Sequence, residues 1–202
     1  MSIDIPNDHA ASLNDEELFC LEGCSKFGQY YRMRQGFEGK ICAFCHPDPA
    51  INQIVWEDKH FMVWHVHPMF MRPELHLHVM IVPREHVRFV GGLPDEAGTS
   101  LIKAARFMKK HFNYTGGLFH GREGDMRENA GTVPHLHFNI FQANHMIEVR
   151  VPVYKDPGDR EANRERATRF AEYYEQGVSP ERFDELVRAG TMSPDGYQAS
   201  QI

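Results

Sequence analysis

No uncharged apolar run in this sequence approaches the roughly 20 residues that a membrane-spanning helix requires. The opening residues Met1-Ser-Ile-Asp-Ile-Pro-Asn-Asp place acid where a secretory leader needs base, and no apolar core follows them. The expectation is a soluble, cytoplasmic protein. An excess of positive charge is missing as well: 22 Lys and Arg stand against 28 Asp and Glu, a formal net charge of −6. Surfaces that neutralise many nucleic-acid phosphates or lie on anionic lipid have the opposite balance. Neither a membrane nor a sequence-specific nucleic acid is expected as a partner, so any phosphate must be met locally. Cysteine is scarce, with four residues in two close pairs, Cys20/Cys24 and Cys42/Cys45. In a reducing compartment such pairs read as metal ligands or buried thiols rather than disulfides. Repeats, low-complexity segments and linkers rich in Pro, Gly or Ser are absent from the sequence. A chain of 202 residues with 42% hydrophobic content is then expected to form one domain over 1–202.

Hydrophobic periodicity orders the elements. Residues 14–35 read as a helix interrupted by glycines, with Asn14 as N-cap and acidic residues in the first turn. Segments Ile54–Trp56, Phe61–Val66 and Leu75–Val82 carry period-two stretches of Val, Ile, Phe, Trp and His and read as antiparallel strands. Leu101, Ala104, Ala105, Met108 and Phe112 recur at helical spacing, which predicts an amphipathic helix over 94–112. A Gly-rich stretch from Gly116 to Gly131 precedes expected strands at Pro134–Phe141 and Met146–Tyr154. Two polar helices close the chain, about 159–176 and 180–189, read as solvated faces, with Ser179-Pro180 in N-cap and N1 order. The class is α+β: an antiparallel sheet packed with helices, with a core at about 41–154 and helical extensions at 1–40 and 155–202.

Histidine is abundant, 13 residues, and three pairs stand two apart: His65/His67, His76/His78 and His135/His137. In a strand, residues i and i+2 share a face, so each pair presents two imidazoles side by side. Any one pair is also compatible with a plain solvated face. A hairpin through Pro68 to Pro73 would gather the first two pairs into a cupin-like metalloenzyme site, for which Glu74 is the sole carboxylate between them. The third pair follows a loop, Asn129-Ala-Gly131-Thr132-Val133-Pro134, whose backbone amides and Thr132 hydroxyl suit a phosphate.

His135-Leu-His137-Phe-Asn139-Ile-Phe141 resembles the His-φ-His-φ-His-φ-φ signature of the histidine triad (HIT) superfamily, φ being apolar. The likeness covers roughly residues 41–145. It includes Cys42-Ala-Phe-Cys45, Val55-Trp-Glu-Asp-Lys-His-Phe61, Val79-Met-Ile-Val-Pro-Arg-Glu-His86-Val, and Asn129-Ala-Gly131 with Thr132-Val133. His76-Leu-His78 imitates the signature but falls on the strand before Pro83-Arg-Glu-His86. Asn139 stands where the third histidine is expected, and with Pro134 it is similar to the His-x-His-x-Gln pattern of the uridylyltransferase and dinucleotide-phosphorylase branch. His65 to His67 replace the family's ribose-binding Asp.

The resemblance implies a HIT-like fold and attack by His137 on an α-phosphate. A covalent nucleotidyl-histidine intermediate would form and pass to water or another phosphate, making the protein a hydrolase or nucleotidyltransferase. Asn139 and Thr132 are implied to assist catalysis. Asn129, Gly131, Thr132, Asn139 and Trp64 are implied to bind the nucleotide or other phosphate ester. Neutral imidazole is nucleophilic near pH 7, provided its second nitrogen donates to a backbone carbonyl. Asn139 can donate a hydrogen bond to a phosphate oxygen but cannot move a proton. Cys42-x-x-Cys45 has zinc-knuckle spacing. The resemblance adds His86 and His135 as the other ligands of a structural Zn2+, while a site of Cys20, Cys24, Cys42 and Cys45 remains the competing assignment. A homodimer through residues 94–112 is also implied. A nucleotide- or partner-binding protein with weak turnover is the alternative function.

Overall fold

The computed structural model describes residues 13–68, 70–72, 74–129, 131–144 and 157–198. Its contacts divide into two compact units. One comprises Met1–Ile41, Met126–Val133 and Val153–Ile202, and the other Cys42–Asp125 and Pro134–Pro152. The strand expected at Met146–Tyr154 lies outside the described residues.

The first unit is helical. α1 (Asp15–Glu22) opens with a capping box: the Asn14 side chain accepts from the N–H groups of Glu16 and Glu17, and Glu17 accepts from the N–H of Asn14. The helix expected over 14–35 is two helices, because the chain turns at Gly23 before α2 (Phe27–Glu38). The short α4 (Met126–Asn129), α5 (Pro157–Glu175) and α6 (Pro180–Arg188) complete the unit. Ser179 caps α6 by accepting from Arg182, with Pro180 at its start, as the sequence implied.

The two C-terminal helices are more than solvated faces. Phe170 and Phe183 are buried against Phe27, whose ring stacks on Phe183 at 4.5 Å. The near-fully buried Glu22 carboxylate takes Arg160 and Arg164, each at 3.3 Å, so these arginines pair with α1 rather than only along their own helix. Removing one partner of such a pair leaves a buried charge exposed to its own desolvation penalty.

Among the described residues the second unit has a five-stranded sheet of order β1-β2-β3-β5-β4, every neighbour antiparallel. Its strands are β1 (Ile54–Glu57), β2 (Phe61–His65), β3 (Leu75–Pro83), β4 (Leu118–Arg122) and β5 (His137–Ala143). β3 sits in the middle and is buried on both faces from Val79 to Pro83, which explains why that stretch is continuously apolar rather than alternating. α3 (Asp95–His111) packs on one face. Its Ala97, Ala104 and Met108 join Phe61, Val63, Leu77, Val79, Ile81, Leu136, Phe138 and Ile140 in one core. Asp58 shapes the β1–β2 turn by accepting from the N–H groups of His60 and Phe61, and it also accepts the Ser100 hydroxyl of α3. The strand expected to start at Pro134 begins at His137, because 134–136 lie in the loop that leads in. β4 was not foreseen: it occupies the sheet edge, inside the stretch that read only as Gly-rich. No described helix is long and apolar enough to cross a membrane.

Candidate functional site

The face of the sheet turned away from α3 carries the polar side chains. Residues directly opposite in an antiparallel pair share a face. The register sets Met80 against Asn139 and Asn139 against His120, and it sets Arg122 against His137. Trp64 lies opposite Met80 in the next strand over. The row Trp64, Met80, Asn139, His120 therefore runs across four strands. Met62, Trp64, Val66, Met80 and Val82 form a second apolar cluster on this face, with Phe44 and Phe70 packed on it.

His137 is buried, and its Nδ1 lies 2.7 Å from the backbone oxygen of His135. A carbonyl only accepts, so Nδ1 carries the proton and Nε2 carries the lone pair. Burial pushes His137 down to about 3; the bond to His135 opposes this, and the Arg122 charge adds to it. The ring is neutral at physiological pH. Phe44 meets it edge-on at 5.2 Å and also touches Trp64 at 5.7 Å.

Asn139 is buried too, and its Oδ1 accepts from His78 Nε2 at 2.9 Å. His78 read from the sequence as a residue with no assigned chemistry, yet it stands beside the third signature position. Burial pushes His78 down to about 4. Phe141 sits between His78 and His120, with ring distances of 4.4 and 5.1 Å. Four enclosed polar atoms in this patch have no hydrogen-bond partner among the described residues: His78 Nδ1, both ring nitrogens of His120, and Asn139 Nδ2. Each such atom costs about 1–3 kcal/mol when left unsatisfied. A polar ligand seated here would recover that cost.

His120 and Arg122 were missed by sequence reasoning. The signal was present in Phe119-His120-Gly121-Arg122, a period-two alternation, but two glycines and an edge position hid the strand. Phe119 stacks on Phe138 on the α3 side at 5.6 Å, which leaves His120 and Arg122 on the other face. Burial lowers the pKa of both, His120 to about 4.

A second cluster stands beside the first. Cys42, Cys45, His86 and His135 bring their ligand atoms within 4.8 Å of one another. His135 Nδ1 is 3.4 Å from Cys42 Sγ and 3.5 Å from Cys45 Sγ, and His86 Nδ1 is 3.2 Å from Cys45 Sγ. His135 Nε2 lies 3.1 Å from the carbonyl of Pro83, so it holds the proton and turns the Nδ1 lone pair toward the thiols. Two thiolates and two imidazoles at these separations fit a closed tetrahedral Zn2+ site, which would tie the loop at 42–45 to the ends of β3 and β5 and supply no chemistry of its own. Burial and the neighbouring Cys42 thiol push Cys45 up to about 12, a proton that a divalent cation would displace. The competing thiols behave differently: Cys20 and Cys24 are buried in the helical unit, where Cys24 Sγ lies 3.5 Å from the Cys20 carbonyl.

The remaining predicted residues are divided between the two units. Gly131 and Thr132 belong to the helical unit, where the Thr132 hydroxyl accepts from Gln29 Nε2 at 3.4 Å. The Asn129 side chain lies outside the described residues. Trp64 is almost fully buried and packs in the apolar cluster instead of facing open space. The four histidines of the cupin-like arrangement do not gather. His65 pairs with Val79 and lies against Phe112 on the α3 side, whereas His78 is on the opposite face and His76 is exposed.

No family model and no curated protein matches the chain. Among solved structures it is similar to a HIT family hydrolase from Clostridium thermocellum, at 22% identity and a TM-score of 0.42, over 55% of this chain and 96% of that one. It is also similar to a Zn-bound histidine triad family protein from Mycobacterium smegmatis, at 20% identity and a TM-score of 0.40, over 67% of this chain and 96% of that one. A third is Plasmodium falciparum diadenosine triphosphate hydrolase in complex with Cyclomarin A, at 19% identity and a TM-score of 0.37, over 62% of this chain and 78% of that one. All three carry the histidine triad or hydrolase name.

Proposed function

We propose that the protein is a HIT-type nucleotide-phosphate hydrolase or nucleotidyltransferase in which His137 is the nucleophile. The observation that carries this reading is the locked tautomer of His137. Its Nδ1 proton is committed to the His135 carbonyl and its Nε2 lone pair is left free, in a buried ring kept neutral. The partnerless Asn139 Nδ2 beside it supplies a neutral donor for a nonbridging phosphate oxygen. Asn139 cannot deliver a proton to a departing amine, which favours substrates whose leaving group departs as a stable anion. Cys42, Cys45, His86 and His135 are assigned to a structural zinc.

In the first step the Nε2 lone pair forms a bond to phosphorus, and the bond to the leaving oxygen breaks with its electron pair. The ring becomes a phosphorylated imidazolium that keeps its Nδ1 proton on the His135 carbonyl. In the second step an acceptor phosphate oxygen, or water that releases a proton to the solvent, bonds to phosphorus, and the pair of the broken P–N bond returns to Nε2. The test is intact mass of the denatured protein after brief incubation with diadenosine triphosphate, adenosine phosphoramidate or a UDP-sugar. A nucleotidyl adduct that vanishes in His137→Ala is the expected result. Nucleotide binding with neither adduct nor product would replace this reading with that of a binding protein.

A further inference from the structure

We propose that the edge strand β4 carries the anion-binding half of the site: Arg122 holds the phosphoryl group that His137 attacks, and His120 holds a second phosphate, the leaving group. This rests on the reading of His137 given above and adds to it the chemistry of what departs.

The register carries the assignment. Arg122 is opposite His137, and His120 is opposite Asn139, one residue pair further along the same face. Any group bound at His137 Nε2 and extending toward Asn139 passes Arg122 first and His120 next. The second observation is the set of enclosed atoms without partners among the described residues, which includes both nitrogens of the His120 ring and Asn139 Nδ2. The N–H of the His120 ring and the Asn139 amide donor, on residues opposite one another in the register, suit an acceptor-rich ligand, and phosphate offers only acceptors at its charged oxygens. The third is position: among the described residues no strand lies beyond β4 in the sheet, so this side of the patch is the margin of the described sheet.

The chemistry closes. When the leaving group is a phosphate, the electron pair of the broken P–O bond comes to rest on an oxygen that is stable as an anion near pH 7, and no proton has to be delivered with it. His120 then needs only to donate its N–H to that oxygen. The absence of an acid at Asn139 and the presence of a donor on the neighbouring strand become two sides of one arrangement suited to phosphoanhydrides.

Binding of ADP and AMP to the full-length protein, measured by calorimetry, tests the proposal without any need for turnover. The two probes differ by the second phosphate alone. The wild-type protein is expected to prefer ADP by about tenfold, the scale of one charge-assisted hydrogen bond. His120→Phe, which keeps the ring against Phe141, is expected to bring the ratio close to one, and His120→Asn, which restores a donor, to recover part of it. Arg122→Gln is expected to weaken both nucleotides alike. A wild-type ratio near one, or a ratio unchanged in His120→Phe, overturns the proposal. Because adduct formation at His137 is read separately, a missing adduct with an intact ADP preference would sink the catalytic reading and leave the anion site standing.

Discussion

The two faces of the one sheet are made by the same five strands and do opposite things. On the α3 side Phe61, Val63, Val79, Ile81, Phe138 and Ile140 interlock with Ala97, Ala104 and Met108, and nearly every atom is apolar and enclosed. On the other side the strand that contributes Phe138 and Ile140 presents His137 and Asn139, which are just as enclosed, and here Asn139, His78 and His120 leave polar atoms without partners among the described residues. Burial is therefore a poor guide to which face works. What separates the faces is whether the enclosed polar atoms are satisfied: one face contributes stability, and the other holds unsatisfied donors ready for a ligand.

Four measurements break or sharpen that comparison. The largest effect is expected for His137→Ala, with turnover lower by at least about 10³-fold and the unfolding midpoint little changed. A comparable loss of stability would show that the polar face is structural after all. Next, Cys42→Ser or strong chelation is expected to remove one equivalent of bound zinc and lower the unfolding free energy by several kcal/mol, as read by metal analysis and urea titration. Zinc retained in Cys42→Ser but lost in Cys20→Ala would overturn the ligand assignment. On the apolar face, Ile140→Ala is expected to cost about 2–5 kcal/mol by urea titration while the Michaelis constant stays within a few-fold of wild type.

The smallest effect concerns pH. His78 is held down to about 4 by burial, against the pull of its bond to Asn139, with the charges of His65, His120 and Arg122 adding to the burial. The folded value lies below the unfolded one, about 6.5, so the folded state resists the proton. The stability that goes with a neutral His78 is complete above pH 6.5 and is lost as pH falls toward 4. His78→Phe cannot take up that proton. Its urea midpoint is expected to drop less than that of wild type between pH 7.5 and pH 5, and equal drops would show that His78 is not protected in the folded protein.

How much of this was legible in the sequence follows the range of the interactions. The caps at Asn14 and Ser179 were readable because a cap is settled within three or four residues. β1, β2, β3 and α3 were readable because period two and period 3.6 are local signals, and their observed bounds fall within a residue or two of those expected. β4 was not, since an edge strand with Gly117 and Gly121 in or beside it has weak propensity and owes its existence to pairing with β5. The role of His78 was missed for the same reason: its neighbour Asn139 is 61 residues away. Arg160 and Arg164 read as part of a solvated helix face, and only the fold brought them to Glu22.

By itself the sequence determined the α+β class, the alternation that puts His137 and Asn139 on one face, and the Cys-x-x-Cys spacing that a tetrahedral metal site needs. Tertiary structure decided which strands flank that face, and so which side chains complete it. Strand register is a long-range choice, and a shift of one residue in β4 would send His120 and Arg122 to the α3 side. It also decided that His86 and His135 meet Cys42 and Cys45 while Cys20 and Cys24 stay buried in the helical unit. Spacing along the chain limits which atoms can share a metal ion, but only the folded path brings them within its bonding radius.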